Sequence, residues 1–281
     1  MIKKKKTKKS GVCQLTGDFG PFQRSHILPK AVTKLSDNGE RYRETSLNTR
    51  PVWRSNSWYD YNLVTAKGEK ILSEIDDLAI SELRKHKLIW SGFGPKWKNS
   101  PTSYRLDEPV RTVSGLNTKL VRLFFISLLW RAAASQREEM SDIYLPQQEL
   151  DVLKLMIVRK ESGEPGFLPM YINQISNIGV HHNRTPIYEK QVIGDIEVDT
   201  FRFYFEGLIC HIIHSYDGDI IKGLEPVFIE ASSELLVITH KFEDSRAFSD
   251  LKEVISSSFD EWKLWDDIIS TILDKSVRYI F

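Results

Sequence analysis

Three short strings in the first third of the chain carry residue types able to do chemistry. Cys13-Gln-Leu-Thr16-Gly17 sets a thiol in a glycine-ended turn. Ser25-His26-Ile27-Leu28-Pro29-Lys30 sets an imidazole beside a hydroxyl, and 63–76 places carboxylates on a helical pattern. Imidazole is the side chain whose charge changes near neutrality, so His26 suits proton transfer at pH 7. Glu69 and Asp76 stand seven residues apart, about two helical turns, and can share one face. Their hard oxygens suit Mg²⁺ or Mn²⁺. Plainer roles compete with each of these. A strand-end histidine can cap backbone groups, Glu69 can complement a helix dipole, and Asp76 can be a solvated helical carboxylate.

Arg24, Lys30, Lys34, Arg41, Arg43, Arg50, Arg54, Lys67 and Lys70 surround these strings, with Trp53, Trp58, Tyr59 and Tyr61 among them. Cations beside aromatic rings are what phosphate contact and base stacking require. The competing reading is an aromatic core with a solvated basic rim, and at least half of the rings are expected to be core.

The Cys13 knuckle, the Ser-His-Ile-x-Pro-Lys string and the Gly68-Glu69 helix start together resemble the HNH endonucleases, the ββα-metal nucleases built on a treble-clef frame. The resemblance spans about residues 11–90, and Ser127-Leu-Leu-Trp-Arg131 is similar to a segment that often follows in a bacterial branch of the family. It implies a metal-dependent endonuclease that hydrolyses DNA phosphodiester bonds, with His26 as general base. Glu69, with Asp60 or Asp76, would stand near a single Mg²⁺ or Mn²⁺, with Glu69 and Asp76 as its ligands. Asp60 falls where the family's middle Asn is expected, with Asn62 close by. Arg24, Lys30, Arg50, Arg54, Lys67 and Lys70 would contact DNA or RNA, and a role in bacterial defence against phage is a family-level expectation. The chain departs from the pattern in two places. Ser25 precedes the base where the family has a His or Asp. Thr16, Thr65 and Gly68 stand at three of the four usual cysteine positions, and none offers a thiolate, so no structural zinc is expected.

These strings must be positioned by elements that the patterning outlines. A helix is expected from near Lys70, on Ile71, Leu72, Ile75, Leu78, Ala79 and Leu83. An amphipathic helix is expected at 117–135 and another at 147–160, with Pro146 in its first turn. Strands are expected at 200–206, 208–213 and 226–239, and a closing helix at 248–273. The class is α+β: a basic disordered arm at 1–10, an HNH-like treble-clef (ββα) domain at 11–100, and a mixed α+β domain at 115–281 with a sensor, oligomerisation or regulatory role. The net charge of +1 conceals a split, since 1–131 holds 25 Lys+Arg against 12 Asp+Glu and the remainder holds 14 against 26. A basic part that meets a polyanion and an acidic part with another task are implied.

Several classes are set aside. Two cysteines cannot build a disulfide framework. No apolar run is long enough for a membrane span, and the N-terminal lysines lack the apolar stretch of a secretory signal, so a cytoplasmic protein is expected. No phosphate loop or GxGxxG is present, and Gly17-Asp-Phe-Gly20 lacks the rest of a kinase set. His181-His182 would point to opposite faces of a strand, and His211 with His214 sit in an apolar stretch. Two rivals to the nuclease remain: an eroded HNH fold that only binds nucleic acid, and a subunit whose acidic half docks a partner protein or a second copy.

Overall fold

The structure, a computed structural model, describes residues 9–33, 42–45, 52–54, 57–94, 109–177, 182–215, 222–246, 248–250 and 252. The lysine arm and the expected closing helix fall almost wholly outside the described residues, as does Arg50.

The N-terminal stretch opens on a hairpin of β1 (Ser10–Val12) and β2 (Phe19–Pro21). Its turn closes because Gly17 takes φ 75°, a conformation that side chains strain to adopt. The Gly17 N–H then donates to Cys13 O at 2.9 Å and the Cys13 N–H to Asp18 O at 2.8 Å. Next come β3 (Ser25–His26), α1 (Lys30–Thr33), β4 (Tyr42–Thr45), β5 (Val52–Arg54) and β6 (Tyr59–Asp60). β3 and β6 pair antiparallel, Ser25 opposite Asp60 and His26 opposite Tyr59. Helix α2 (Ala66–Lys85) follows and buries Gly68, Leu72, Ile75, Ala79, Ile80 and Leu83. It starts a turn before the expected Lys70. That first turn is short of large apolar residues, so hydrophobic periodicity does not mark it.

The remainder contains β7 (Val110–Ser114), α3 (Thr118–Ala134), α4 (Gln147–Arg159), β8 (Met170–Ile175), β9 (His182–Arg184), β10 (Ile187–Ile193), β11 (Ile196–Phe205), β12 (Leu208–Ser215) and β13 (Glu234–His240). Six of these strands form one sheet in the order β10-β11-β12-β8-β13-β7, antiparallel except for β8 with β13. The fold is mixed α+β, as the patterning implies.

Three expectations are corrected. Helix α3 is not amphipathic, because every residue from Val121 to Ala132 is buried. It packs against α2 and α4 and meets the sheet, where the Phe125 ring stacks on Phe205 at 6.1 Å. Such a helix must be enclosed by protein on all sides. Pro146 is the residue before α4 (φ −56°, ψ 148°), not part of its first turn. At 226–239 only the second half is strand; Pro226 sits in a 3₁₀ turn and Glu230 takes φ 72°, both incompatible with a continuous ladder.

One buried apolar cluster runs from Cys13 to Val237 and draws on both expected domains. β4 pairs parallel with β9, Glu44 opposite Asn183, so a strand between β3 and β6 joins the C-terminal half. The Asn183 side chain also donates to Thr33 O at 3.0 Å. No described helix is long and apolar enough to cross a membrane.

Candidate active site

The four knuckle positions converge although only one is a cysteine. The Leu63–Thr65 segment lies along the first hairpin, with Gln14 N–H donating to Leu63 O and Gln23 N–H to Val64 O, each at 2.9 Å. Thr16 and Thr65 donate to opposite oxygens of the Asp18 carboxylate, the second at 2.8 Å. Those hydroxyls hold the Asp18 carboxyl below the usual range, Thr16 contributing most. A carboxylate and two hydroxyls thus tie the hairpin to the start of α2. Burial pushes the Cys13 thiol up, but hydrogen bonds from Thr16 and Thr65 outweigh it and leave it lowered.

Gly68 is the fourth position. A Cβ there would lie 2.7 Å from Cys13 Sγ and 2.9 Å from Val64 Cβ. Gly68→Ala is therefore expected to destabilise by about 1–3 kcal/mol, despite the better helix propensity of alanine. A lowered midpoint in urea unfolding checks this; a raised midpoint would show that the knuckle gives way freely.

Above this frame stand β3, β6 and the first turn of α2. Adjacent strand residues point to opposite faces, so Ser25 and His26 diverge. Ser25 turns toward α2, where its hydroxyl pulls against the burial that raises the Glu69 carboxyl. Arg131 also lowers that carboxyl and Asp76 raises it. Ser25 Oγ and Glu69 Oε2 are both buried, and the hydroxyl faces the carboxylate. His26 turns the other way, its ring edge-on to Tyr59 at 6.1 Å, and its Nε2 is buried without a partner. Burial, then Arg24, Lys30 and Arg131, lower the His26 pKa to about 4, so the ring is neutral at pH 7.

The other expected carboxylates are engaged. Asp76 receives a two-pronged contact from Arg131 at 3.0 and 2.5 Å, and the same guanidinium donates to His26 O at 3.1 Å. Burial raises the Asp76 carboxyl, against the pull of Arg131. Asp60 accepts from Asn62 N–H and from Ser135 Oγ, each at 2.7 Å. Neither carboxylate joins Glu69, and among the described residues no three His, Cys, Asp or Glu side chains are grouped to hold a metal. Glu69, whose carboxylate faces the Ser25 hydroxyl, is the remaining candidate ligand, and its hard oxygens suit Mg²⁺ or Mn²⁺ better than a softer ion.

Of the expected phosphate contacts, Arg24, Lys30, Lys67 and Lys70 are exposed. Arg24 lies over the Tyr59 ring at 3.9 Å, and Lys70 approaches Glu74 at 4.0 Å. Arg54 belongs to β5, and Arg50 falls outside the described residues. Trp58 is core, Tyr59 half-buried and Tyr61 exposed. Ser25 and Arg131 are additions that the geometry makes to the site. Ser25 is signalled in the sequence by its place before His26, whereas Arg131 lies 105 residues from the backbone carbonyl it holds.

No family model, curated protein or solved structure matches the chain.

Proposed function

We propose that the chain is a metal-dependent, phosphodiester-cleaving nuclease with His26 as general base. The observation that carries this is a neutral imidazole whose buried Nε2 has no partner. Neutral His26 Nε2 is buried with no partner at the end of β3, and the exposed cations Arg24 and Lys30 act on the ring. Buried polar atoms are seldom left unmatched unless something is to meet them. The ββα order and the converging knuckle agree with the HNH resemblance.

In this reading Arg24 and Lys30 draw the phosphate toward β3, and the negative charge that arrives offsets the cations that depress His26. The imidazole then takes a proton from the attacking water. Mg²⁺ or Mn²⁺, for which Glu69 is the candidate ligand, would stabilise charge on the phosphate. Arg131 holds β3 in place through the His26 carbonyl and leaves the ring free.

Incubation of the full chain with plasmid and single-stranded DNA tests this, with Mg²⁺, Mn²⁺ or chelator present. Cutting is expected with metal and not with chelator, and Glu69→Gln is expected to raise the metal concentration needed by at least about tenfold. A second reading, nucleic-acid binding without cleavage, is favoured by the lack of a three-ligand group among the described residues. Salt-sensitive DNA binding with no cutting under any metal would establish that reading instead.

A further inference from the structure

Helix α4 is apolar on two sides, and only one of them is covered. Leu153, Met156 and Ile157 are buried, and the helix packs against α3. The opposite side carries Val152, Leu155 and Val158, which are 44%, 51% and 42% exposed. At about 100° per residue these three share roughly a third of the helix surface, with Leu155 at its middle and directed away from the core. Asp151 and Arg159, both exposed, fall inside the same arc.

Single exposed apolar residues are ordinary, but a run of them on one helical arc forms a patch. Helix propensity points the same way. Valine forms helix less well than Ala, Glu or Lys, so a solvated face would gain nothing from Val152 and Val158 and would lose some helix stability. Both sides of α4 therefore read as packing surfaces.

The order of the charges says what packs on the outer one. Asp151 and Arg159 stand four residues to either side of Leu155, and Val152 and Val158 stand three to either side. A two-fold axis at Leu155 relates two copies of α4 as antiparallel helices, so the same patch serves on both. Leu155 then meets Leu155 of the second copy, and each Val152 comes level with Val158 of the second copy. Each Asp151 comes level with Arg159 of the second copy, which places one opposite-charge pair at either end. A parallel pair would instead set carboxylate against carboxylate and guanidinium against guanidinium. Asp151 is open to the exchange, since its contact with Gln147 Nε2 at 3.1 Å is an exposed one.

We propose that the chain forms a two-fold symmetric dimer through the outer face of α4, with Leu155 at the axis. One helical face is smaller than a standard interface, so association is expected in the micromolar range. The proposal stands apart from the nuclease reading and shares no residue with it.

Sedimentation velocity of the full chain, from about 1 to 200 µM, tests it by the shift from monomer to dimer mass. Leu155→Lys is expected to weaken association at least about tenfold while the dilute protein keeps its Tm, because the position is half exposed. Asp151→Arg alone, or Arg159→Asp alone, should weaken it by about tenfold, since two like-charge pairs replace two opposite ones. Both reversals in one chain should restore it, a result that only antiparallel copies give. Leu155→Cys should yield a disulfide-linked dimer on mild oxidation, because the two copies of that position meet at the axis. Cys13 and Cys210 are buried, so the unaltered chain should form no such link. The proposal is overturned if the chain stays monomeric through the whole range, which would leave the face to residues 253–281 or to a different protein. Equal association by Leu155→Lys, or a double reversal that restores nothing, would overturn it as well.

Discussion

His26→Ala is expected to reduce DNA cleavage by about 10²–10⁴-fold while the protein stays folded and binds DNA with the same salt dependence. The ring makes no hydrogen bond through Nε2, so its removal orphans no partner there, and the main interaction it gives up is the edge-on packing against Tyr59. Single-turnover cleavage beside a binding titration reads both effects; cleavage that survives the substitution would remove His26 from the chemistry. The pH dependence gives a separate signature. The free-enzyme rate should fall on the acid side near pH 4, not 6.5, because burial and three cations depress the imidazole.

Stability has its own pH dependence. The unfolded chain takes up the His26 proton near pH 6.5, whereas the folded chain resists until about pH 4. Stability from the neutral ring is therefore complete above 6.5 and is lost as pH falls through that window. The loss is on the order of 2–3 kcal/mol at the acid end. His26→Ala should flatten that share of the profile, leaving what His211 and His240, also depressed, contribute.

Arg131→Met is expected to lower stability by about 3–5 kcal/mol, which corresponds to a Tm lower by roughly 10 °C. The guanidinium is almost wholly enclosed, its side chain 2% exposed, and it holds Asp76, Ser127 and the His26 carbonyl at once. Its loss leaves the Asp76 carboxylate buried without a counter-charge. The deficit should shrink as pH falls, since burial already raises that carboxyl and protonation then removes the uncompensated charge. Arg131→Met with Asp76→Leu should recover most of the loss, because replacing both partners leaves no orphan. Differential scanning of the three variants decides; a cost below about 1 kcal/mol in the single variant would mean that water reaches Asp76 freely.

Legibility in the sequence follows the range of the interactions. The glycine-ended turn at Gly17 and the buried stripe of α2 rest on local spacing, whereas the juxtaposition of Cys13 and Thr16 with Thr65 and Gly68 was expected only from the HNH resemblance. The fate of Asp76 was not. Its spacing from Glu69 permits a shared face, but solvent, a metal and a guanidinium all satisfy a helical carboxylate, and the choice lies 55 residues away in Arg131. Asp60 is similar, its second oxygen taken by Ser135. Helix α3 misled because Arg122 and Arg131 look like a polar face. In the fold Arg122 is enclosed by the carbonyls of Ser162, Glu164, Phe167 and Leu168. Charge predicts exposure only when no buried partner waits, and partners at that separation leave no periodic trace.

The pairing of β4 with β9, and of Arg131 with β3, bears on synthesis. A ribosome that has released the His26 segment has still to make the helix that holds it and the strand at 182–184 that completes the small sheet. At about 5–20 residues per second, those later segments emerge several seconds to tens of seconds after His26 itself. Through that interval the nascent chain exposes its lysines and arginines but not a framed site. If the nuclease reading holds, such a chain would touch nucleic acid before it could act on it.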